Sequence, residues 1–159
     1  MAVDYFLQIA GIEGESRDVK HKGWLDVLSW SWGESNPGSH ASGGGGGTGK
    51  TTPQDFHYVS PVSKASPKLF RACAVGQHFK EAKLVARKAG KAQQEFLSWT
   101  FSDVLVSSYQ TGGTELALPL DQVSLSFAKV KVEYKAQKAD GSLDAAISAG
   151  FDFKGNKEF

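Results

Sequence analysis

The residues best placed to do chemistry lie in a glycine-rich run that matches the phosphate-loop pattern, GxxxxGK followed by Ser or Thr, at Gly44, Gly49, Lys50 and Thr51. A phosphate loop follows a buried strand and opens a helix, whose N-terminus holds the phosphates. Here the small or polar residues 33–43 precede the run, and Pro53 comes soon after Thr51. Residues 54–60 then alternate in the manner of a strand. We therefore interpret the match as a chance product of the glycine run and predict no nucleotide site.

The other reactive side chains lack the spacing of a catalytic or metal-binding site. No HxH, HxxxH or cysteine-paired pattern occurs among the histidines, which are His21, His40, His57 and His78. No GxSxG nucleophile motif is present, and the carboxylates are scattered along the chain. The single cysteine, Cys73, cannot form an internal disulfide and is expected to be a small buried apolar residue. The sequence therefore predicts no metal, no cofactor and no enzymatic activity.

The charge balance argues against nucleic acid or an anionic membrane as an obligate partner. Lys and Arg number 18 and Asp and Glu 17, which leaves a net charge of +1. Lysines within residues 80–91 and 129–135 could form a basic face like the strand-binding face of a small barrel. Glutamates interrupt both segments, so solvated strand faces explain these lysines more simply.

Membrane insertion and signal-directed secretion are not indicated either. No apolar run approaches the roughly 20 residues of a membrane-spanning helix. The opening residues 1–5 lack the basic region and the long apolar region of a secretory signal. We therefore expect the chain to be made in the cytoplasm and to reside there at first.

Alternation of apolar and polar residues with period two is the dominant pattern, and it predicts strands with one buried face. The clearest strands are predicted at residues 5–9, 28–32, 97–101 and 147–153. Weaker strands are predicted at residues 54–60, 82–88, 104–109 and 115–120. Within residues 123–134 the alternation changes phase between Phe127 and Val130. Either a bulge near residues 128–129 restores one buried face, or the strand passes from one packed sheet to another.

One short helix is predicted between these strands. Ser66 is placed as its N-cap, Pro67 as its first residue and Gly76 as its end. Its apolar pairs, Leu69 with Cys73 and Phe70 with Ala74, are expected to dock on the sheet, because so short a helix is not stable alone in water.

Residues 33–53 form a long polar segment with almost no apolar side chain. Such a segment cannot contribute to a core, and one of roughly 20 residues inside a compact domain is usually functional or disordered. Both of its flanks show the same strand alternation. We therefore interpret it as an insertion within a single domain of residues 1–159 and not as a linker.

Five segments, in this order along the chain, resemble the haemolysin-coregulated protein family, Hcp. They are residues 1–16 (MAVDYFLQIAGIEGES), 23–33 (GWLDVLSWSWG), 55–58 (DFHY), 66–70 (SPKLF) and 127–134 (FAKVKVEY). The resemblance covers essentially the whole chain, and the order of the motifs makes the combination specific. The glycines at 43–47 depart from the family, in a loop after the second strand that varies among its members.

The resemblance implies a two-sheet β-barrel with one short α-helix and a structural role. Family members associate head to tail into hexameric rings, which stack into the hollow inner tube of the type VI secretion system. The tube is expelled by a contractile sheath, carries a spike-tip trimer protein and delivers effector proteins, some of them sheltered in its lumen. The resemblance therefore implies a cytoplasmic protein that is later secreted without a cleaved signal peptide.

Two hypotheses about residues follow from this resemblance. The polar segment is expected to contact a neighbouring subunit or ring, through Ser35, Asn36, Pro37, His40, Gly43, Gly47, Lys50 and Thr51. The polar residues of the second strand, Ser29 and Ser31, are expected either to face the lumen and touch cargo or to lie on a solvated outer wall.

A different class of function stays open from the residues alone. The chain could be a monomeric β-barrel module that binds carbohydrate or single-stranded nucleic acid. Exposed tryptophans would favour the binding module, and buried tryptophans would favour the tube. The mass in solution separates the two classes.

Overall fold

Strands make up most of the regular structure in the computed structural model, which describes residues 2–38, 50–90 and 92–159. The strands are β1 (Val3–Ile9), β2 (Leu25–Val27), β3 (Ser29–Ser31), β4 (Glu34–Ser35), β5 (Thr52–Pro53), β6 (Phe56–Pro61), β7 (His78–Lys88), β8 (Glu95–Thr114), β9 (Ala117–Ser126), β10 (Lys129–Tyr134), β11 (Ile147–Asp152) and β12 (Lys157–Glu158). The helix α1 (Ser66–Val75) lies between β6 and β7. The prediction of a mostly-β fold with one short helix is confirmed.

Ten of these strands form one sheet that curls back on itself. From the central strand β8, one path runs through β7 and β1 to β2, and another runs through β9 and β6 to β3. β2 and β3 are separated only by Leu28, whose N–H donates to the carbonyl of Val59 at 2.8 Å. The two paths therefore meet along one stretch of chain and enclose the core in a barrel. β4 and β5 form a separate two-stranded sheet.

The phase change within residues 123–134 marks a change of partner strands. β9 pairs with β6 and with the second half of β8, and it ends at Ser126. β10 begins at Lys129 and pairs with β11 and with the first half of β8. The strand thus passes from one part of the sheet to another. The two strands predicted at 97–101 and 104–109 are one long strand, which turns at Asp103 with φ of 55°.

Helix α1 differs from its prediction at its start and on one face. Its N-cap is Ala65, and no side chain caps it. The placement of Ser66 as the cap was wrong, because the Ser66 hydroxyl instead donates to the carboxylate of Asp121 across the barrel end. Gly76 ends the helix in the left-handed conformation as predicted, with φ of 68°.

The helix docks through Leu69 and Ala72, which are fully buried, while Cys73 is half-buried. Phe70 is 63% exposed, and Ala74 is exposed too. Phe70 nevertheless contacts Tyr109 of β8 with one side of its ring, at a centroid distance of 6.4 Å. The buried stripe of the helix consists of Ser66, Leu69 and Ala72, which are spaced three residues apart. Phe70 lies outside this stripe.

Aromatic rings fill the centre of the barrel beneath these strands. Phe101 packs against Phe56 and Phe127, each at a centroid distance of 4.7 Å. Phe127 in turn contacts Phe153 at 6.1 Å. These contacts join β6, β8 and the segment that leads into β10, so the core holds the two parts of the sheet together. No helix within residues 2–38, 50–90 and 92–159 is long and apolar enough to cross a membrane.

Candidate assembly surfaces

The polar segment at 33–53 begins and ends in a short two-stranded ladder. Glu34 pairs with Pro53 and Ser35 with Thr52. The Thr51 hydroxyl donates to the Ser35 carbonyl at 3.2 Å, which extends the ladder towards the middle of the segment. The predicted polar insertion therefore has a defined base.

Trp32 fixes this base to the barrel. Its indole Nε1–H donates to the carbonyl of Gln54 at 2.8 Å. Its ring packs against Trp99 at 5.2 Å and Phe127 at 6.0 Å. These contacts fix the β4–β5 ladder against the barrel wall.

The predicted residues of this segment fall partly outside the described chain. His40, Gly43, Gly44, Gly47 and Gly49 lie outside it. Ser35, Asn36, Pro37 and Lys50 are exposed and Thr51 is half-buried. Thr51 leads directly into β5 and not into a helix, and α1 begins only at Ser66. The described residues after Thr51 therefore lack the helix that a phosphate loop needs.

Ser29 and Ser31 both lie on β3 with exposed side chains. Trp30 between them points inward, where it packs edge-on against Tyr5 at 6.0 Å and against Phe56 at 6.2 Å. The strand therefore presents its polar side to the outside of the barrel. All four tryptophans are half-buried, so their exposure does not decide between the two classes of function.

An ionic cluster around two buried side chains, Arg87 and His21, lies beside β1, β7 and β8, and sequence reasoning missed it. The Arg87 guanidinium is buried and donates from Nη1 to Asp18 at 2.8 Å and from Nη2 to Asp4 at 3.2 Å. It also lies 4.8 Å from the ring centroid of Phe6. Burial acts to lower the pKa of Arg87, but the bonds to the two aspartates outweigh it and raise the pKa. Arg87 therefore stays charged.

His21 extends this cluster to β8. Its Nδ1 lies 2.7 Å from the Asp18 carboxylate, and its Nε2 lies 2.6 Å from that of Glu95. The ring is buried and stacks on Phe6 at 4.3 Å. Carboxylates only accept hydrogen bonds, so a ring protonated on both nitrogens satisfies both contacts. Arg87 and His21 together clamp residues 10–24 onto the barrel wall.

Acid is expected to weaken this clamp through Asp18. The hydrogen bonds from Arg87, and then from His21, lower the pKa of Asp18 from 3.8 to about 2. A depressed carboxyl pKa stabilises the folded state above pH 3.8, and this stabilisation is lost as the pH falls through 2. Urea unfolding of the Asp18→Asn variant should therefore show a deficit against the native chain at pH 5 that shrinks towards pH 2. An equal deficit at both pH values would contradict this account.

The two other histidines that the structure describes, His57 and His78, make separate contacts. His57 Nδ1 lies 3.1 Å from Ser124 Oγ, and His78 Nδ1 lies 3.0 Å from Asp103 Oδ1. Among the residues whose placement is described, no three side chains of His, Cys, Asp or Glu converge as metal ligands would.

Two apolar surfaces stay open on the barrel. The first, termed the apolar face, spans β8, β10 and β11 and consists of Leu97, Trp99, Val132, Tyr134, Ile147 and Ala149. A shallow pocket of about 150 Å³ opens on it between Trp32, Trp99 and Phe151. The second, termed the hairpin tip, is the turn between β8 and β9, where Leu116 is 92% and Leu118 78% exposed. A monomer rarely leaves such surfaces uncovered unless a partner binds there.

The described residues therefore form a mostly-β fold with one docked helix and two open apolar surfaces. The profile of the family described as "Type VI secretion system effector, Hcp" matches residues 6–134, and the chain belongs to this family. Its members are secreted components of the type VI secretion system.

Individual relatives agree along the full length. Protein hcp1 of Pseudomonas aeruginosa is 45% identical over 159 residues, which covers 98% of each chain. The crystal structure of Hcp1 from Salmonella typhimurium is 40% identical, covers 100% of both chains and superposes with a TM-score of 0.83. A solved structure of a type six secretion system protein superposes with a TM-score of 0.91 at 30% identity, covering 99% of this chain and 100% of that one.

Proposed function

We propose that this chain is a structural subunit of the inner tube of a type VI secretion system and not an enzyme. Six copies associate head to tail into a ring, and the rings stack into a hollow tube. Membership of the Hcp family supports this proposal. The observation that carries it is the pair of open apolar surfaces, since a chain with a complete core of its own needs a second body to cover them.

The size of the subunit is compatible with a hollow ring. A chain of 159 residues has a radius of gyration of roughly 15 Å. Six such bodies in contact leave a central opening a few tens of ångströms across, by the same size estimate. An opening of that width admits a small folded protein, so effectors can travel or be sheltered inside.

The proposed partners follow from the proposed tube. A contractile sheath surrounds it in the cytoplasm, a spike-tip trimer protein caps it, and effector proteins are its cargo. Contraction of the sheath expels the tube, so the chain reaches the outside of the cell without a cleaved signal peptide. Neither nucleic acid nor insertion into a membrane has a part in this route.

The mass in solution tests the ring. Light scattering after size exclusion, at micromolar concentration, should give six times the subunit mass of 17.1 kDa. A chain that remains at 17.1 kDa would overturn the ring and favour a monomeric barrel that binds carbohydrate or single-stranded nucleic acid.

Ser29 and Ser31 are proposed to face the lumen and touch cargo. Replacing Ser31 with arginine should lower the amount of co-purified effector at least tenfold, because an unmatched charge in a contact costs more than about 1.4 kcal/mol. Ser107→Arg is the matched control, since Ser107 is also exposed on a strand, β8, and lies on neither apolar surface. Equal cargo on the Ser31→Arg ring and the native ring would place these serines on the outer wall.

The polar segment is proposed to contact the next ring or subunit. Deleting residues 43–47 should weaken tube formation, measured by sedimentation and electron microscopy, while the β4–β5 base is kept. The free energy of unfolding should change by less than about 1 kcal/mol, because loop closure depends only weakly on loop length. Unchanged tubes would count against this contact.

A further inference from the structure

We propose that the hairpin tip of one copy packs on the apolar face of the next copy, and that this unlike pairing is the contact that builds the ring. The inference rests on the proposed self-assembly and adds the two surfaces through which it proceeds. It assigns a different role to each end of the long strand β8.

The apolar face is continuous because its members are cross-strand neighbours. Leu97, Tyr134 and Ile147 lie side by side on β8, β10 and β11. Trp99, Val132 and Ala149, each two residues from a member of the first row, form a second row on the same side of the sheet. Ile147 is 71% exposed and Tyr134 is 46% exposed. The outer row is therefore the open part of this face.

The edge of the sheet beside this row is also open. β12 pairs only with Phe151 and Asp152 of β11, and the Phe159 N–H reaches the carbonyl of Gly150. Within the described chain, no strand pairs with the outer side of Ile147–Ala149. An unpaired edge next to exposed apolar side chains is a surface that another chain can cover.

The hairpin tip has a shape that can enter such a surface. Leu116 is exposed in the turn, a position that polar residues and glycine usually occupy, and Leu118 is exposed at the start of β9. Gly112 and Gly113 precede them on β8, so the tip is narrow on that side. Leucines on a narrow projection can bury a large share of their surface in a shallow apolar recess.

The two surfaces lie at opposite ends of β8. Leu97 is near its start, whereas Thr114 closes the hairpin with Ala117 at its end. Strand rise places on the order of 50 Å of chain between them. A surface at one end that fits an unlike surface at the other gives a heterologous contact, which closes into a ring when the rotation allows.

Charges beside the two surfaces are complementary. Glu115 lies on the hairpin tip, and Lys135 directly follows Tyr134, just past the end of β10. Neither side chain forms an ion pair with any residue of the described chain. Opposite charges at the border of an apolar contact favour the correct register and disfavour a tip-to-tip contact.

A mixing experiment tests the unlike pairing. The tip variant carries Leu116→Asp and Leu118→Asp, and the face variant carries Ile147→Asp. Each alone should run at 17.1 kDa, while an equimolar mixture should form a dimer of twice that mass, because only one intact tip and one intact face remain per pair. Val19→Asp is the matched control, since Val19 is 94% exposed and lies on neither surface, and it should form the native ring.

The outcomes separate this pairing from the proposed tube. Native-sized rings from both variants, or a mixture that stays monomeric, would overturn the pairing alone when the native chain forms rings. A monomeric native chain would overturn the tube and the pairing together. Circular dichroism checks that the variants fold.

A second pair of substitutions avoids burying a charge. Leu118→Cys and Ile147→Cys together, in a Cys73→Ser chain, should yield a ladder of covalent multimers from oxidised rings. Absence of the ladder in assembled rings would also overturn the pairing.

Discussion

The free energy of unfolding of the Phe101→Ala chain is expected to be about 4 kcal/mol lower than that of the native chain. Phe101 is fully buried and packs between Phe56 and Phe127. Its strand neighbours are Ala82 on β7 and Val130 on β10, so the ring sits where the two parts of the sheet meet. Its removal leaves a cavity that small neighbours such as Ala82 cannot fill.

Urea unfolding measures this loss directly, and the melting temperature should fall by roughly 10 °C. Phe70→Ala is the matched control, because Phe70 is the same residue type but is 63% exposed. Its loss should stay below about 1 kcal/mol. Similar losses for the two variants would contradict the claim that the buried Phe101 ring contributes most of this stability.

The Arg87→Met chain is expected to lose about 3 kcal/mol, the second largest effect. Methionine keeps an unbranched apolar stem, but it removes the guanidinium that lies over Phe6 and leaves Asp4 and Asp18 without their donor. Asp18 then keeps only its contacts with His21 and with the backbone N–H of Lys20. The cost therefore comes mainly from a carboxylate left without its cation.

Lys131→Met provides the comparison for this variant. The Lys131–Glu133 pair is 3.4 Å apart, and both side chains are exposed. An exposed pair of this kind contributes less than about 1 kcal/mol. Equal losses for Arg87→Met and Lys131→Met, measured by urea unfolding at pH 7, would show that the cluster is no stronger than a surface pair.

The ionic cluster has a consequence for assembly. Residues 10–24 join β1 to β2, so the clamp keeps a long connection flat against the wall of the subunit. A tube subunit must present the same outline in every copy, because a small difference repeats around the ring. A rigid connection is therefore compatible with the proposed tube.

Local patterns in the sequence determined most of the secondary structure. Strand alternation depends only on side chains two residues apart. The strands β1, β6, β7 and β11 could therefore be predicted from the sequence without knowledge of the fold. Gly76 ended the helix as predicted, because a left-handed residue needs no distant partner. The ordered motifs also identified the family, which the full-length relatives bear out.

Contacts between distant residues were decided only by the tertiary structure. Ser66 binds Asp121, 55 positions away, and so does not cap the helix. Arg87 binds Asp18 across 69 positions. The apolar face combines residues of three strands, and β8 is separated from the other two along the sequence. A local pattern shows which side of each strand is apolar, but only the packing of the strands in the curled sheet decides which apolar sides are buried and which stay exposed.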